Sequence, residues 1–362
     1  MRWSFKVGTI AGIRVDLHVT FIIFVGWVAI SRGLLTGDPS HAISAVTLLL
    51  LIFTCVLLHE LGHALAARRY GIQTRDITLL PIGGIARLER MPDKPQQEIV
   101  VALAGPAVNV VIATALYLLS SGVDRPMAET AMRGGIVESL FLVNVVMVIF
   151  NMVPAFPMDG GRVLRALLAL RVSYARATQI ASLIGQGIAL MFGLLGLFTN
   201  NVALMFIALF VFLAASEERA IVQTRASLTG LPVRAAMVTD FHALDVRDPL
   251  QRAVELLMAG SQQDFPVLDG GSLAGILTRS DLVQALQRHG SEAAVGDVIR
   301  PEKEYADASE PLQDALQRMR ERARSALPVV QHGDLVGLIT LENVGDLLVV
   351  RDALRRYAGR ST

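Results

Sequence analysis

The sequence has little charge and almost no cysteine. Asp, Glu, Lys and Arg make up 18% of the 362 residues, whereas hydrophobic residues make up 53%; a soluble domain is about 25% charged. This balance indicates a membrane protein or part of one. The single cysteine, Cys55, excludes an intrachain disulfide. The net charge of +1 gives no electrostatic reason to expect nucleic acid as a partner.

We expect no removable leader at the start of the sequence. The first 16 residues, MRWSFKVGTIAGIRVD, contain basic residues but no small-residue cleavage site before the first apolar run. We therefore expect a retained segment rather than a secretory signal peptide.

Long apolar runs dominate the chain up to about Ala215. Since about 20 residues span a bilayer, they predict six transmembrane helices, give or take one. The last run is short and must borrow flanking residues. The predicted spans are Leu17–Leu35, Ile43–Ala67, Ile99–Leu119, Ile136–Val153, Thr178–Phe198 and Val202–Ala215.

Basic residues favour alternate connections between these spans, and the basic side of a membrane protein faces the cytoplasm. We therefore expect a multi-pass protein of a prokaryotic cell membrane, with both termini in the cytoplasm. The basic connections carry Arg68, Arg69, Arg75, Arg87, Arg90 and Lys94, then Arg162, Arg165, Arg171 and Arg176; the others carry Arg32, then Arg125 and Arg133, then none.

After Glu217 the sequence becomes more polar and repeats itself. DPLQRAVELLMAGSQQDFPVLDGGSLAGILTRSD returns 62 residues later as EPLQDALQRMRERARSALPVVQHGDLVGLITLEN, without a gap. Each copy predicts helix, strand, turn, strand and helix. The predicted fold is an α-helical polytopic membrane domain (residues 1–220) followed by a soluble α/β tandem domain (221–362), with repeats at about 229–290 and 291–350.

The run HELGH lies at the end of the second apolar segment. On a helix, His59 and His63 project from one face and can share a zinc ion, while Glu60 lies beside them to accept a proton from water. Strongly polar side chains in a membrane segment cost roughly 2.5–3.5 kcal/mol each, and a metal would offset this cost. The alternative is an unmetallated polar contact between helices. Cys55, one turn earlier, is either a further ligand or a small buried residue.

A catalytic zinc takes three protein ligands and leaves one position open. Asp159 is the only acidic residue between Glu138 and Glu217, and it follows Pro154 and Pro157 in FNMVPAFPMDGG. This carboxylate on broken backbone at membrane depth is the predicted third ligand. The alternative makes Asp159 the N-cap of the following helix.

The motifs HELGHALAARRYG, LPIGGIARLE, ALAGPAVNV and FNMVPAFPMDGGR, in this order, resemble the site-2 protease family of intramembrane zinc metalloproteases over about residues 1–220. The resemblance implies one Zn²⁺ per chain held by His59, His63 and Asp159, with Glu60 as the general base. It also implies a supporting or substrate-binding role for Asn151. Asn109, Asn144 and His18 stand where the family keeps such residues; the alternative for these three is interhelical hydrogen bonding.

A substrate helix must become extended before its carbonyls are accessible. DITLLPIGGIARLE alternates like a short hairpin, and with Gly83 and Gly84 its edge would accept an extended substrate by strand addition. A plain connecting loop would also contain GG.

The repeated unit resembles a CBS domain pair over about residues 229–350. This resemblance implies a homodimer and an adenine nucleotide (ATP, ADP or AMP) bound near Thr278 and Asp281 of GILTRSD and Thr340 of GLITLEN. The second copy has Asn343 where the first has Asp281. The sequence of the pair therefore supports at most one nucleotide site. The alternative role for this domain is dimerisation alone.

Three functions follow from these patterns. The first is a zinc metalloendopeptidase that cuts a transmembrane protein substrate and is regulated through its CBS pair. The second is a CBS-gated transporter or channel, and the third is a catalytically silent homologue that binds client proteins.

Overall fold

The structure, a computed structural model, describes residues 3–36, 39–89, 92, 94–120, 135–260, 262–299, 304–322 and 324–358. It divides into two compact units, Met1–Val222 and Gln223–Thr362. Arg90, Arg125 and Arg133, on which part of the predicted orientation depends, lie outside the described residues.

The first unit combines helices with a four-stranded sheet. The helices are α1 (Val19–Thr36), α2 (Pro39–Arg68), α3 (Pro95–Leu119), α4 (Ile136–Asn151), α5 (Asp159–Ala169), α6 (Tyr174–Phe198) and α7 (Val202–Leu228). The strands are β1 (Ser4–Ile10), β2 (Ile13–His18), β3 (Thr74–Leu80) and β4 (Gly83–Leu88). Their order is β1-β2-β3-β4, with β2 and β3 parallel and the outer pairs antiparallel. The strands β1 and β4 are therefore the edges of this sheet.

Several helices are suited to a membrane. Within the described part of the chain, α2, α3 and α6 are long and apolar enough to cross one, and α1 and α4 are shorter apolar helices. The last predicted span continues through its flanking residues, because α7 is 27 residues long. The chain thus has several membrane-capable helices, and the total of six spans stays a prediction.

The sheet packs against the second half of α2. Ile13 of β2 and Ile77 of β3 share one buried cluster with Leu61 and Ala64 of α2. The predicted hairpin is present as β3 and β4, which pair from Thr74–Leu88 to Leu80–Gly83. The β1–β2 hairpin was not predicted; it turns at Ala11 and Gly12, which both have positive φ. This packing brings the β3–β4 hairpin next to the HELGH turn.

The helices α2 and α3 approach closely at Gly62. A Cβ atom added to Gly62 would lie 2.8 Å from the carbonyl oxygen of Ala104 on α3. Any side chain at this position would therefore push the two helices apart, and the helix that carries HELGH would lose its fit against α3.

The second unit contains the two predicted copies of helix, strand, strand and helix. The first copy has β5 (Leu244–Asp245), α8 (Leu250–Ala259), β6 (Phe265–Asp269), β7 (Ser272–Leu277), α9 (Arg279–His289) and α10 (Val295–Val298); the second has β8 (Ala306–Asp307), α11 (Leu312–Glu321), β9 (Ala326–Gln331), β10 (Asp334–Thr340) and α12 (Leu341–Ala358). The three-stranded sheets are ordered β5-β6-β7 and β10-β9-β8.

Each copy has its own apolar core, but a flanking segment crosses between them. Leu228 and Val233, which precede β5 in the chain, are buried in the core of the second copy with Leu312 and Ile339. The core of the first copy contains Leu250 and Phe265. The two copies therefore form one unit with shared packing rather than two independently folded domains.

Candidate metal centre

His59 and His63 lie one turn apart on the buried side of α2. Each is 4% exposed, and their Nε2 atoms are 3.1 Å apart. The i, i+4 spacing of HELGH on a continuous helix produces this convergence, as predicted.

Asp159 completes the cluster from the other side. It is the first residue of α5, and its Oδ2 lies 3.1 Å from Nε2 of His63 and 3.3 Å from Nε2 of His59. The N-cap of α5 is Met158, so the alternative interpretation of Asp159 as the cap is wrong. In the described part of the chain, these three buried residues form the one group of three or more potential metal ligands.

Glycines make this convergence possible. A Cβ atom on Gly105 of α3 would lie 2.2 Å from Nε2 of His63 and 2.8 Å from Cε1 of His59. A Cβ atom on Gly160 would lie 2.4 Å from the carbonyl oxygen of Val153. The backbone must therefore pass close to the imidazoles and fold back tightly beside Asp159, and the absence of side chains permits both.

Each of the three converging groups is held by a second contact. Nδ1 of His63 lies 2.7 Å from the carbonyl oxygen of Val101, and Nδ1 of His59 lies 2.5 Å from Oδ1 of Asn109. The second oxygen of Asp159, Oδ1, lies 3.7 Å from Nη1 of Arg162. Such outer contacts orient metal ligands in proteins.

The chemistry of the three atoms fits a cation. A carbonyl oxygen only accepts, so Nδ1 of His63 carries its proton and Nε2 presents a lone pair; Oδ1 of Asn109 requires the same of His59. Two lone pairs and a carboxylate oxygen then face one another at 3.1–3.3 Å. Tetrahedral zinc with bonds of 2.0–2.2 Å separates its ligand atoms by about 3.3–3.6 Å. The site is close to this size, and a cation at its centre would balance the carboxylate and the two lone pairs.

Glu60 lies next to the cluster, beneath the β3–β4 hairpin. A Cβ atom on Gly84 would lie 2.8 Å from Cγ of Glu60, so the hairpin backbone passes directly over this side chain. Gly83, the first residue of β4, has φ +138, a conformation that favours glycine. The glycine pair thus allows the hairpin to turn and to approach Glu60.

The other predicted site residues differ in whether they contact the cluster of His59, His63 and Asp159. Asn109 and Asn144 are 0% exposed, and Asn109 contacts His59 directly. His18 ends β2, with Nδ1 2.8 Å from Oγ1 of Thr20. Asn151 donates from Nδ2 to the carbonyl oxygen of Met147, 3.0 Å away. Cys55 is buried, and its Sγ accepts from Asn144, so its contact is with an asparagine rather than with the cluster.

The sequence reasoning missed two arginines on α5. Arg162 contacts Asp159, as described above. Arg165 is 0% exposed; it donates to Oε1 of Glu98 at 2.8 and 2.5 Å and also pairs with Glu218. Its guanidinium lies 5.0 Å from the ring centre of Phe156 and 4.9 Å from that of Tyr174. The sequence feature that could have identified them is the amphipathic spacing of GGRVLRALLAL, which puts two arginines three residues apart on one helix.

Arg165 ties α5 to its neighbours. Glu98 belongs to α3 and Glu218 to α7, so one guanidinium joins three helices, and the aromatic rings enclose it. Because α5 begins at Asp159, this ion-pair cluster fixes the helix that carries the candidate carboxylate ligand.

The second unit has a cavity of about 900 Å³ next to GILTRSD of the first copy. Its lining includes Thr278, Asp281 and the cations Arg279, Arg322 and Arg324. Oγ1 of Thr278 lies 2.6 Å from Oδ2 of Asp281. Asp264 joins the copies here, since its Oδ2 accepts from Oγ of Ser325, 2.7 Å away. Thr340 is not among the lining residues; its Oγ1 contacts Oδ1 of Asn343 instead.

Comparison with known families matches both units. The model of peptidase family M50 matches residues 47–130 and 123–192, which include all three candidate ligands. The CBS domain model matches residues 233–288 and 295–349, close to the two predicted repeats.

Individual proteins are also similar to this chain. A zinc metalloprotease of Methanocaldococcus jannaschii is 29% identical over 344 residues, which cover 95% of this chain and 96% of that protein. The stage IV sporulation protein FB of Bacillus subtilis is 29% identical over 52% of this chain and 62% of that protein. The solved site-2 protease from M. jannaschii is 37% identical and matches 60% of this chain and 95% of that one, with a TM-score of 0.45.

Proposed function

The chain belongs to peptidase family M50, the site-2 protease family, and is a zinc metalloprotease with a pair of CBS domains; from this premise we propose that it hydrolyses a peptide bond within or near a transmembrane segment of another membrane protein. The observation that carries the proposal is the convergence of three metal-binding atoms beside Glu60 on α2, an apolar helix long enough to cross a membrane. A site on this helix suits a peptide bond at membrane depth. The family membership favours this function over a CBS-gated transporter.

In this proposal His59, His63 and Asp159 hold one zinc ion through Nε2, Nε2 and Oδ2. A zinc ion held there would supply a water of lowered pKa, near about 7, and would polarise the scissile carbonyl group. Val101, Asn109 and Arg162 orient the three ligands through the contacts described above.

Glu60 is the proposed general base. Its carboxylate accepts a proton from the attacking water and then donates that proton to the nitrogen of the leaving amine. The hairpin backbone at Gly84 lies against the Glu60 side chain and would shield one side of it from bulk water. A glutamate one residue after His59 is on the adjacent helix face, so it takes part in proton transfer without competing for the metal.

The edge of β4 is the proposed docking site for the extended substrate. An edge strand offers unpaired backbone groups to an incoming segment, and Gly84 of this strand lies against Glu60. The exposed side chains of Ile82 and Ile85 on the same hairpin suit an apolar substrate. Strand addition here would extend the substrate and bring its backbone to the general base in one step.

The proposed arrangement in the membrane has six spans, with both termini in the cytoplasm. The soluble unit would then meet cytoplasmic adenine nucleotides. Arg279, Arg322 and Arg324 line its cavity and suit phosphate groups, and Asp281 suits a ribose hydroxyl. Because Asn343 replaces this carboxylate in the second copy, we propose one nucleotide per chain, and a homodimer formed through the CBS pair.

The position of the cut tests the proposal. The full-length protein would be reconstituted in liposomes with a panel of single-span substrates, and the products would be mapped by mass spectrometry. We expect cuts within the apolar segment or a few residues from it, made faster by Gly or Pro in that segment and slower by Leu at the same positions. Cuts confined to loops far from the membrane would contradict it.

A further inference from the structure

We infer that Asn144 and Asn109 form a one-way hydrogen-bond chain that fixes the tautomer of His59, so that its Nε2 is free to bind zinc. This inference rests on the proposed role of His59 as a ligand. It assigns the two asparagines as positioning residues rather than as substrate-binding groups.

The chain starts at a group that can only accept. Nδ2 of Asn144 lies 2.8 Å from the backbone carbonyl oxygen of Leu140, four residues earlier on α4, and 3.4 Å from Sγ of Cys55. A carbonyl oxygen accepts and never donates, so the amide nitrogen of Asn144, rather than its oxygen, faces it. Oδ1 of Asn144 therefore points the other way, as an acceptor.

The same donor-to-acceptor direction holds at Asn109. Its Nδ2 lies 2.7 Å from Oδ1 of Asn144, so the nitrogen donates and Oδ1 of Asn109 is turned toward His59. That oxygen lies 2.5 Å from Nδ1 of the imidazole. Nδ1 of His59 must then carry the proton, and the lone pair is left on Nε2, the atom that faces Asp159.

Burial makes the direction rigid. Asn109 and Asn144 are both 0% exposed, so water cannot replace a partner that turns away. If either amide flipped, two donors or two acceptors would face each other in a site that water does not reach, with only the weak acceptors Sγ of Cys55 and Sδ of Met147 nearby. The chain crosses from α4 through α3 to α2, and the packing of these helices keeps its links in register.

The two histidines differ in what holds them. His63 is fixed by the backbone carbonyl of Val101, a contact that every residue type at position 101 would offer. His59 is held by the side chain of Asn109, which is held in turn by Asn144. This series of hydrogen bonds ends at the backbone carbonyl of Leu140 on α4. Substitution at position 144, whose side chain contacts Asn109, Cys55 and Leu140 and none of the three proposed ligands, is therefore expected to weaken zinc binding.

Measuring zinc affinity shows whether Asn109 and Asn144 position His59 or serve another role. The full-length protein in detergent would be titrated with zinc against a competing chelator, and with Co²⁺, whose visible absorption reports the ligand geometry. Loss of an outer contact costs about 10- to 100-fold in metal affinity, so Asn109→Leu and Asn144→Ala should fall in this range with altered Co²⁺ spectra. Asn109→Asp keeps an acceptor toward Nδ1 and, when protonated, a donor toward Asn144, so it should stay within a few-fold of the wild type.

Ser182→Ala is the matched control. It removes a buried interhelical hydrogen bond, from Oγ of Ser182 to the carbonyl oxygen of Ala215, away from the proposed ligands, and should leave zinc affinity and the Co²⁺ spectrum unchanged. The inference is overturned if Asn144→Ala binds zinc as the wild type does, or if Asn109→Asp is as weak as Asn109→Leu. A wild-type protein that binds no zinc would instead refute the proposed function.

Discussion

Nε2 of His63 lies 3.1 Å from Oδ2 of Asp159, although 96 residues separate them in the chain. The two atoms meet because α2 and α5 both pack against α3, where Gly105 leaves room for the imidazoles. The candidate metal centre is therefore a product of helix packing as much as of the HELGH motif.

The first prediction concerns Gly105. In Gly105→Ala the new methyl group would lie 2.2 Å from Nε2 of His63, so the imidazole must move and zinc affinity should fall by more than the ~10- to 100-fold that the loss of an outer contact costs. Chelator competition measures this. Gly187→Ala on α6 is the control, since its Cβ would meet nothing within 4 Å; zinc binding should be unchanged. Equal affinity in the two variants would refute the packing argument.

Arg165 provides a prediction about stability. Arg165→Met leaves Glu98, which is 2% exposed, without its cation, and breaking a buried ion pair costs about 3–5 kcal/mol. The free energy of unfolding in detergent should fall by this amount. Adding Glu98→Gln should recover part of the loss, because the second variant removes the stranded charge. No recovery in the double variant would mean that Arg165 acts through its ring contacts instead.

The sheet outside the spans supplies a pH dependence. Burial alone would raise the pKa of Asp76, but hydrogen bonds from Arg87 and Thr78 hold it below its ordinary value of 3.8. A lowered folded-state pKa adds stability above the unfolded-state pKa, and this stability is lost as the pH falls through the folded value. The free energy of unfolding should therefore decline below about pH 4, and Asp76→Asn should remove part of this slope. A variant with the wild-type slope would contradict it.

Asp281 tests the nucleotide site. Asp281→Ala removes a charged acceptor from the cavity in the second unit, and losing such a hydrogen bond weakens binding by about 10- to 100-fold. Calorimetry with ATP, ADP and AMP should give one site per chain in the wild type. Asn343→Ala, at the matching position of the second copy, should bind as the wild type does. If the second variant also loses binding, the site has been assigned to the wrong copy.

Sequence reasoning identified the ligand candidates because their patterns are local. The i, i+4 histidines require only a helix, and Asp159 stood out as the lone acid in an apolar stretch between prolines and glycines. The repeat in the second unit was equally visible, since the two copies match without a gap.

Other features depend on contacts that no local pattern encodes. Arg165 is buried because Glu98 and Glu218 come from distant helices, and Asn109 holds His59 because α3 crosses α2 at two glycines. The burial of Leu228 and Val233 in the core of the second repeat likewise depends on contacts between distant parts of the chain. The β1–β2 hairpin does alternate, as WSFKV, but its apolar residues Trp3, Phe5 and Val7 are exposed rather than part of a core, and the sequence reasoning considered this segment only as a possible leader.

The most direct test of the central claim compares the purified wild-type protein with Glu60→Gln, by metal analysis and by cleavage of single-span membrane substrates. The proposed roles predict one zinc ion per chain in both proteins and cleavage in the wild type alone, because the variant keeps the three ligands and loses the group that moves the proton. A wild-type protein without stoichiometric zinc, or a Glu60→Gln variant that still cuts, would contradict the account. Zinc without cleavage in either protein would favour the catalytically silent client-binding homologue.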